Sequence, residues 1–370
     1  MIPVSLIRCP SYDPESLRAA LESAVDLSGG FDPRGKTVLL KPNLLSASSP
    51  DQAVITHPEF LRAAIRLCRN RGAARVLVGE SPGWQPADMV ARRTGVRAVA
   101  DEEGAEWVDF SDAVEVDVPS GRVVKRFELA RAAMEADLLV SLPKLKTHKL
   151  LYFTGASKNL FGTVPGLRKS RFHLRFPERR EFAAMIVDLI LAVRPAFALM
   201  DAVVGMEGLG PGNGVPRPLG FVLASPDCLA LDWVASGLVG YDPADIQYLA
   251  DARDRGILIP ETIEPRGLDP VRERVADFDR VRVPRDTDFF RSRMPAFLHS
   301  AARGLFVERP AFSDRLCRRC GGCVNICPAK ALSFREGKTA PVPDYSACIR
   351  CYCCHEVCPA NAVRLVRRPW

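Results

Sequence analysis

Apolar and polar positions alternate along roughly the first 260 residues in two rhythms, one of strands and one of amphipathic helices. Val4–Ile7 reads as a strand and Pro14–Val25 as a helix. Thr37–Leu40 is an apolar strand running into Lys41-Pro42-Asn43, and His57-Pro58 opens a helix that continues to Arg69. Strand Arg75–Val78 follows, then strand Asp137–Leu142, which ends at Pro143. Helix Glu181–Ala192 leads to strand Phe197–Asp201, and strand Gly220–Ala224 precedes helix Leu229–Leu238. Short, continuously apolar strands separated by helices predict an α/β fold, a mostly parallel sheet with helices on both faces.

The pattern changes over residues 281–313. Phe289, Phe290, Met294, Phe297, Leu298 and Leu305 form an apolar stripe near Arg291, Arg293 and Arg303. A stripe of this kind suits a linker helix packed on a neighbouring domain, kinked at Pro295. The alternative is a basic amphipathic helix lying on a membrane surface.

Beyond it the chain is organised by cysteine. Cys317, Cys320, Cys323 and Cys327 precede Pro328, and Cys348, Cys351, Cys354 and Cys358 precede Pro359. Both copies read C-x-x-C-x-x-C-x-x-x-C-P, the run that wraps three thiolates around one cubane and lends the fourth to its neighbour. The spacing therefore predicts two [4Fe–4S] clusters. One takes Cys317, Cys320, Cys323 and Cys358, the other Cys348, Cys351, Cys354 and Cys327. Zinc sites use looser pairs of C-x-x-C and have no reason to repeat this run before a proline. Disulfides fit poorly with a reducing compartment, where such clusters are assembled. Cys353 exceeds what two cubanes need and reads as a packed or spare thiol, or as an alternative ligand. The expected organisation is an α/β domain with a basic pocket over 1–280, a linker helix over 281–313 and a ferredoxin-like, small α+β dicluster domain over 314–370.

Composition narrows this picture rather than changing it. The 370 residues are 47% hydrophobic and 26% charged, ordinary for a globular protein. No stretch approaches the ~18 apolar residues of a membrane span, and the opening MIPVSLIRCP reads as a strand rather than a signal peptide. A cytoplasmic location is expected. The formal charge of +7 falls to about +3 once two clusters of about −2 each are counted, which does not suggest a nucleic-acid binder. From Cys317 to Trp370 there are nine Lys or Arg and three Asp or Glu, cations suited to offsetting cluster charge or docking an acidic electron donor.

In open parallel sheets, sites form at the carboxyl ends of the strands. Those ends carry Lys41 and Asn43; Glu80 and Ser81; Lys144, Lys146, Thr147 and His148; and Asp201 before the glycine-rich loop Gly205–Gly214 with Glu207. Between them lies Thr154–Gly162 with Lys158 and Asn159, and beyond it Lys169 and His173. A single strand-end lysine is ordinarily solvated. A convergent set with histidines and amides makes a pocket for an anion such as a carboxylate or phosphate. No P-loop, dinucleotide fingerprint, G-x-S-x-G elbow or H-E-x-x-H helix is present.

Lys41-Pro42-Asn43, Thr56-His57-Pro58, Leu142–His148, Lys158–Gly162 and the stretch Asp201–Gly214 resemble the bacterial and archaeal family known as domain of unknown function 362. Its members are often called uncharacterised iron–sulfur center proteins, and many carry a ferredoxin-like tail. The resemblance implies that Lys41, Asn43, Lys144, Lys146, His148, Lys158 and Asn159 stand at signature positions. It implies no reaction.

The reading that joins both halves is an iron–sulfur oxidoreductase. An electron donor protein or small reductant would feed the clusters, which pass single electrons to an anionic small-molecule substrate or cofactor. Lys41, Asn43, Lys144, Lys146, Lys158 and Asn159 would bind it, His148 or His173 would act as acid, and Asp201 and Glu207 would orient these groups or bind a cation. The alternatives are a non-enzymatic electron carrier and a redox sensor.

Overall fold

The computed structural model of the chain describes residues 1–282 and 307–366. Most of the expected linker helix, with Phe289, Phe290, Met294, Phe297, Leu298 and Leu305, lies outside the described residues. The strands before it are β1 (Ile2–Arg8), β2 (Thr37–Pro42), β3 (Arg75–Gly79), β4 (Glu106–Val108), β5 (Ala113–Asp117), β6 (Arg126–Ala130), β7 (Leu138–Leu142), β8 (Lys144–His148), β9 (Tyr152–Thr154), β10 (Phe197–Glu207), β11 (Val215–Ser225) and β12 (Ile263–Gly267).

The main sheet runs β12-β1-β11-β10-β7-β2-β3-β4. Its β10-β7-β2-β3-β4 half is parallel throughout, and β1 pairs parallel with β12. Only β11 runs against its neighbours on this path. Apolar runs feed both faces at once. Val38 and Leu40 pack with helices Pro14–Leu27 and Pro58–Asn70, while Leu39 between them joins the core beneath helices Arg179–Val193 and Cys228–Leu238. A two-faced sheet has no room for polar positions inside its strands, which is why these strands read as continuously apolar.

The helix starts follow from local chemistry. Asp13 accepts from Ser16 N at 3.0 Å, and Pro14 opens the helix with its φ already set. His57 caps the next helix in the same way, its Nδ1 accepting from Glu59 N at 3.2 Å. β10 continues to Glu207, so the stretch expected as a loop from Gly205 starts inside a strand. The antiparallel pairing with β11 extends the strand there by satisfying its backbone groups.

The cysteine-rich unit has two small ladders, β13 (Arg309–Phe312) with β16 (Val363–Val366), and β14 (Leu332–Ser333) with β15 (Val342–Pro343). Its two halves repeat the same backbone turns. Arg319 and Arg350 have φ of 52° and 57°, Gly321 and Tyr352 of 78° and 64°, and Lys330 and Asn361 of 50° each. Left-handed residues at matching places give both cysteine loops the same sequence of turns. Among the described residues, no helix is long and apolar enough to cross a membrane.

One buried carboxylate ties the helical layer to the β5–β6 connection. Asp188 accepts from the backbone N–H of Arg122, Val123 and Val124 at 2.7, 2.7 and 2.9 Å, and from Arg255 Nη1 at 2.8 Å. Asp188→Ala would strand three donors and a guanidinium. The expected cost is about 3 kcal/mol or more, read as a lower urea midpoint at unchanged slope; a midpoint within error of the parent would refute it.

Candidate functional site

The strand ends converge on a cavity of about 100 Å³. Asn43, Glu80, Lys158, Asn159, Lys169 and His173 line it from the α/β side, and Ile326, Cys353, Glu356 and Val357 close it from the cysteine-rich side. The two units meet closely. Asn213 Nδ2 donates to His355 O at 2.6 Å, and Lys149 Nζ lies 2.7 Å from Glu308 Oε2. A Cβ on Gly322 would stand 2.7 Å from the Trp84 ring, so only glycine allows this approach. Trp84 packs there against Ile326, Cys353 and Val357.

A chain of polar contacts crosses the floor of the cavity. Lys41 Nζ forms a fully buried ion pair with Glu80 and donates to Asn159 Oδ1 at 3.1 Å. Asn159 Nδ2 reaches Lys41 O and Ser141 Oγ, both at 3.0 Å, while its Oδ1 accepts from Asn43 Nδ2 at 3.2 Å. Asn43 Oδ1 in turn accepts from Lys146 Nζ at 2.7 Å. These contacts fix both amide orientations and leave little slack in any side chain. Gly162 lets the Glu80 carboxylate come this near, since a Cβ would sit 1.9 Å from Oε1.

Lys158 is different. It makes no hydrogen bond or ion pair among the described residues, and its Nζ lies 5.8 Å from the centre of the Phe161 ring. Its helix, Ala156–Asn159, is anchored by Asp232, which accepts from Ala156 N at 2.6 Å and Ser157 N at 2.9 Å and is backed by Tyr248 OH at 3.0 Å. Burial lowers the Lys158 ammonium, and the nearby Glu356 carboxylate opposes that shift. An anion in the cavity would do the same more strongly.

The histidines are set in neutral forms. His148 Nδ1 accepts from Leu150 N at 3.0 Å and Leu151 N at 3.2 Å, which puts the ring proton on Nε2. Nε2 points to Glu356 Oε1 at 3.4 Å. Burial, then Lys158, Lys146 and other cations, holds His148 well below the ordinary range. His173 stacks on Phe182 at 4.4 Å, and burial followed by Lys158 brings it down to about 3.

Lys41, Lys146 and His148 lie behind the cavity lining, and three further sequence candidates, Lys144, Asp201 and Glu207, are engaged elsewhere. Lys144 Nζ binds Asp201 Oδ2 at 2.8 Å and Tyr12 OH at 2.6 Å, and Tyr12 OH donates to Asp201 Oδ1 at 2.9 Å. Asp201 also accepts from His57 N at 3.0 Å, so this pair is spent on holding strand ends together. Glu207 Oε2 accepts from Asp279 N at 3.0 Å, a clasp on a neighbouring segment. Glu356, Asp232 and Tyr12 were not foreseen. Asp232 had a signal, a lone carboxylate in the apolar run Cys228–Leu238. Glu356 was hidden inside the cysteine run.

In the cysteine-rich unit, Cys323 has Cys358, Cys320 and Cys317 as its thiol neighbours. Cys348 has Cys351 and Cys327, and Cys354 has Cys351, Cys348, Cys323 and Cys327. Cys317, Cys327 and Cys358 sulfurs each accept a backbone N–H at 3.3 Å, from Arg319, Ala331 and Ala362. Among the described residues no three metal-binding side chains close on a single ion. A cubane asks for something else, thiolates at the corners of a larger core with amides turned toward sulfur, and the residues present fit it. Cys353 lines the cavity instead, its thiol hydrogen-bonded to Cys351.

A doubled ferredoxin loop docked on an α/β unit defines an iron–sulfur protein of the electron-transfer class. The chain belongs to the family described as a domain of unknown function (DUF362), whose model matches residues 38–237, and a 4Fe-4S dicluster domain matches residues 309–359. It is 35% identical over 323 residues to a thylakoid-associated protein of Synechocystis, covering 83% of this chain and 96% of that one. Among solved structures it is similar to the lactate racemase apoprotein of Thermoanaerobacterium thermosaccharolyticum, with a TM-score of 0.41 at 15% identity over 65% of this chain and 57% of that one. A protein of Thermotoga maritima gives a TM-score of 0.38 at 12% identity over 60% of this chain and 56% of that one. In both cases the match spans less than two thirds of the solved chain.

The buried histidine has a consequence for stability. Unfolded, His173 takes up a proton below its ordinary ~6.5; folded, it resists until about 3. Its contribution is present above ~6.5 and is lost as pH falls through that window, about tenfold in the folding constant per pH unit. His173→Phe keeps the stacking and is expected to remove one proton from the slope of stability against pH. Urea titrations between about pH 4 and 7 measure it; an unchanged slope would sink the assignment.

Proposed function

We propose that the chain is a ferredoxin-dependent reductase, with an α/β domain over 1–280 joined through 281–313 to a dicluster domain over 314–370. In this reading Cys317, Cys320, Cys323 and Cys358 hold one [4Fe–4S] cluster, and Cys348, Cys351, Cys354 and Cys327 hold a second. The clusters supply single low-potential electrons. The observation that carries the proposal is the shared cavity, walled on one side by Lys158 and on the other by Cys353 and Glu356.

Each side chain then has a task. Lys158 clamps the anionic group of the acceptor, since among the described residues no carboxylate pairs with it. Lys41 is neutralised by Glu80 and, with Asn43 and Asn159, fixes the floor against which the acceptor lies. Lys146 braces Asn43 and adds positive potential where reduction builds negative charge. His148 is held neutral, with its Nε2 3.4 Å from Glu356 Oε1 and no hydrogen bond between them, so it packs against the wall of the cysteine-rich unit. Close packing around Trp84 excludes water from the path between cysteine loop and cavity. A free carrier would need no such enclosed polar chamber.

Anaerobic analysis of the reconstituted protein is expected to give about eight irons and eight sulfides, four for each cubane, with interacting EPR signals after dithionite reduction. Re-oxidation is then screened against small carboxylates and oxyanions. Lys158→Gln is expected to slow acceptor-driven re-oxidation about a hundredfold with iron content and EPR unchanged. Zinc in place of iron removes the electron-transfer reading, and an unimpaired Lys158→Gln removes the pocket from it.

A further inference from the structure

Any reduction in the cavity must also place a proton, and the sequence offered His148 and His173 for that task. Neither is suited by geometry. The His173 ring is packed against Phe182 and Phe161, without a hydrogen-bond partner to relay a proton. His148 does not line the cavity, and its buried Nε2 makes no hydrogen bond among the described residues. Glu80 is bound by Lys41 and by Ser81 N at 2.8 Å, an acceptor at both ends.

Lys169 remains. It lies on the helix Arg168–Arg175, almost wholly buried, and lines the same cavity as Lys158. Its Nζ donates to Val164 O at 2.6 Å, which holds the head in place and leaves its other protons free. The groups acting on it are Glu80 from the end of β3, Lys41 from the end of β2 and Lys158 from the short helix, with His173 neutral on its own helix.

This inference rests on the reading of the cavity as the place where an anionic acceptor is reduced. We propose that Lys169 is the proton donor of that reduction, and that the acceptor is a carboxylate or oxyanion of about four to six heavy atoms. The size follows from the cavity of about 100 Å³, beside the ~150 Å³ that accommodates benzene. As the acceptor gains one electron through the cysteine-rich unit, one Nζ–H bond of Lys169 breaks and the new bond to the reduced atom forms. The ammonium becomes an amine and is reprotonated from solvent. A carboxylate acceptor takes two electrons from the external donor and two protons, each passed through Lys169, across a C=O or C=C bond outside the carboxylate; an oxyanion takes the same electrons and protons, breaks one X–O bond and releases that oxygen as water.

Burial, only partly offset by Glu80, brings Lys169 down to about 7, so both its forms are populated near neutrality. A lysine in this state is reactive toward small electrophiles when an exposed one is not.

The test is reductive methylation of the full-length, cluster-loaded protein with formaldehyde, between about pH 6 and pH 9, quantified per lysine by mass spectrometry. Lys169 is expected to reach half its maximal rate near pH 7 and to outpace the exposed lysines Lys330 and Lys338 at least ~tenfold at neutrality. Acetate, as the probe anion, is expected to protect it, with protection fading as pH rises past neutrality. Lys169→Arg keeps a cation against Val164 O but cannot release a proton. In that variant acetate binding, followed by calorimetry, is expected to persist and to lose its fall above pH 7. Methylation of Lys169 only above about pH 9, or acetate binding with the same pH dependence in Lys169→Arg, overturns the proposal. Missing EPR signals would count against electron delivery and leave this titration untouched, so the two failures are distinguishable.

Discussion

Lys41, Lys144, Lys146 and Lys169 lie buried at one end of the sheet beside a half-buried Lys158, and the rest of the arrangement is shaped by the cost of putting them there. An unpaired buried cation gives up its charge sooner than stay. Lys41 is met by Glu80 and Lys144 by Asp201, both pairs closed to solvent. Lys146 has only amide and carbonyl oxygens from Asn43 and Val54, and burial drives it well below its ordinary range. Lys158 has no direct partner among the described residues. The largest favourable charge acting on these last two is Glu356 of the other unit, joined by Glu80, while burial raises the Glu356 carboxyl itself. Docking is therefore an electrostatic completion of the site as well as an apolar contact around Trp84.

The sheet supplies the geometry that makes such crowding possible. β2, β3 and β7 end side by side, and their next residues must turn away from the strands. Lys41, Glu80 and the Lys144–His148 segment consequently share one edge. β8 then continues parallel to β10 and carries three cationic or ring side chains on alternate residues, all buried. Asp232 reaches across from another helix to fix the turn that carries Lys158.

Much of this was legible in the chain, for reasons that can be named. Val38-Leu39-Leu40 must be a strand covered on both sides, and the paired cysteine runs could serve little else. Lys41, Asn43, Lys158 and Asn159 were recognisable as strand-end or near-loop polar residues, and they do gather. The sequence could not say which carboxylate each lysine meets, because pairing depends on which strands lie adjacent. Lys144 and Asp201 are far apart in sequence and become register partners only through β8 and β10. Lys144–His148 itself carries no apolar alternation to mark it as a strand. The helices Ala87–Arg93 and Val96–Glu102 are too short for a helical period to declare itself.

The repeated turns of the cysteine-rich unit carry one further implication. Arg319 and Arg350, Gly321 and Tyr352, Lys330 and Asn361 give its halves the same backbone, yet the halves do not share the same surroundings. Cys320 is open to solvent, while Cys354 is buried among Leu332, Val363 and Phe312 of its own unit and Cys353 lines the cavity beside Trp84. Twin sites in a bulk solvent would be interchangeable. In the proposed reductase, an unequal exposure of this kind would set any direction of flow between the halves through the medium and not through the ligands themselves.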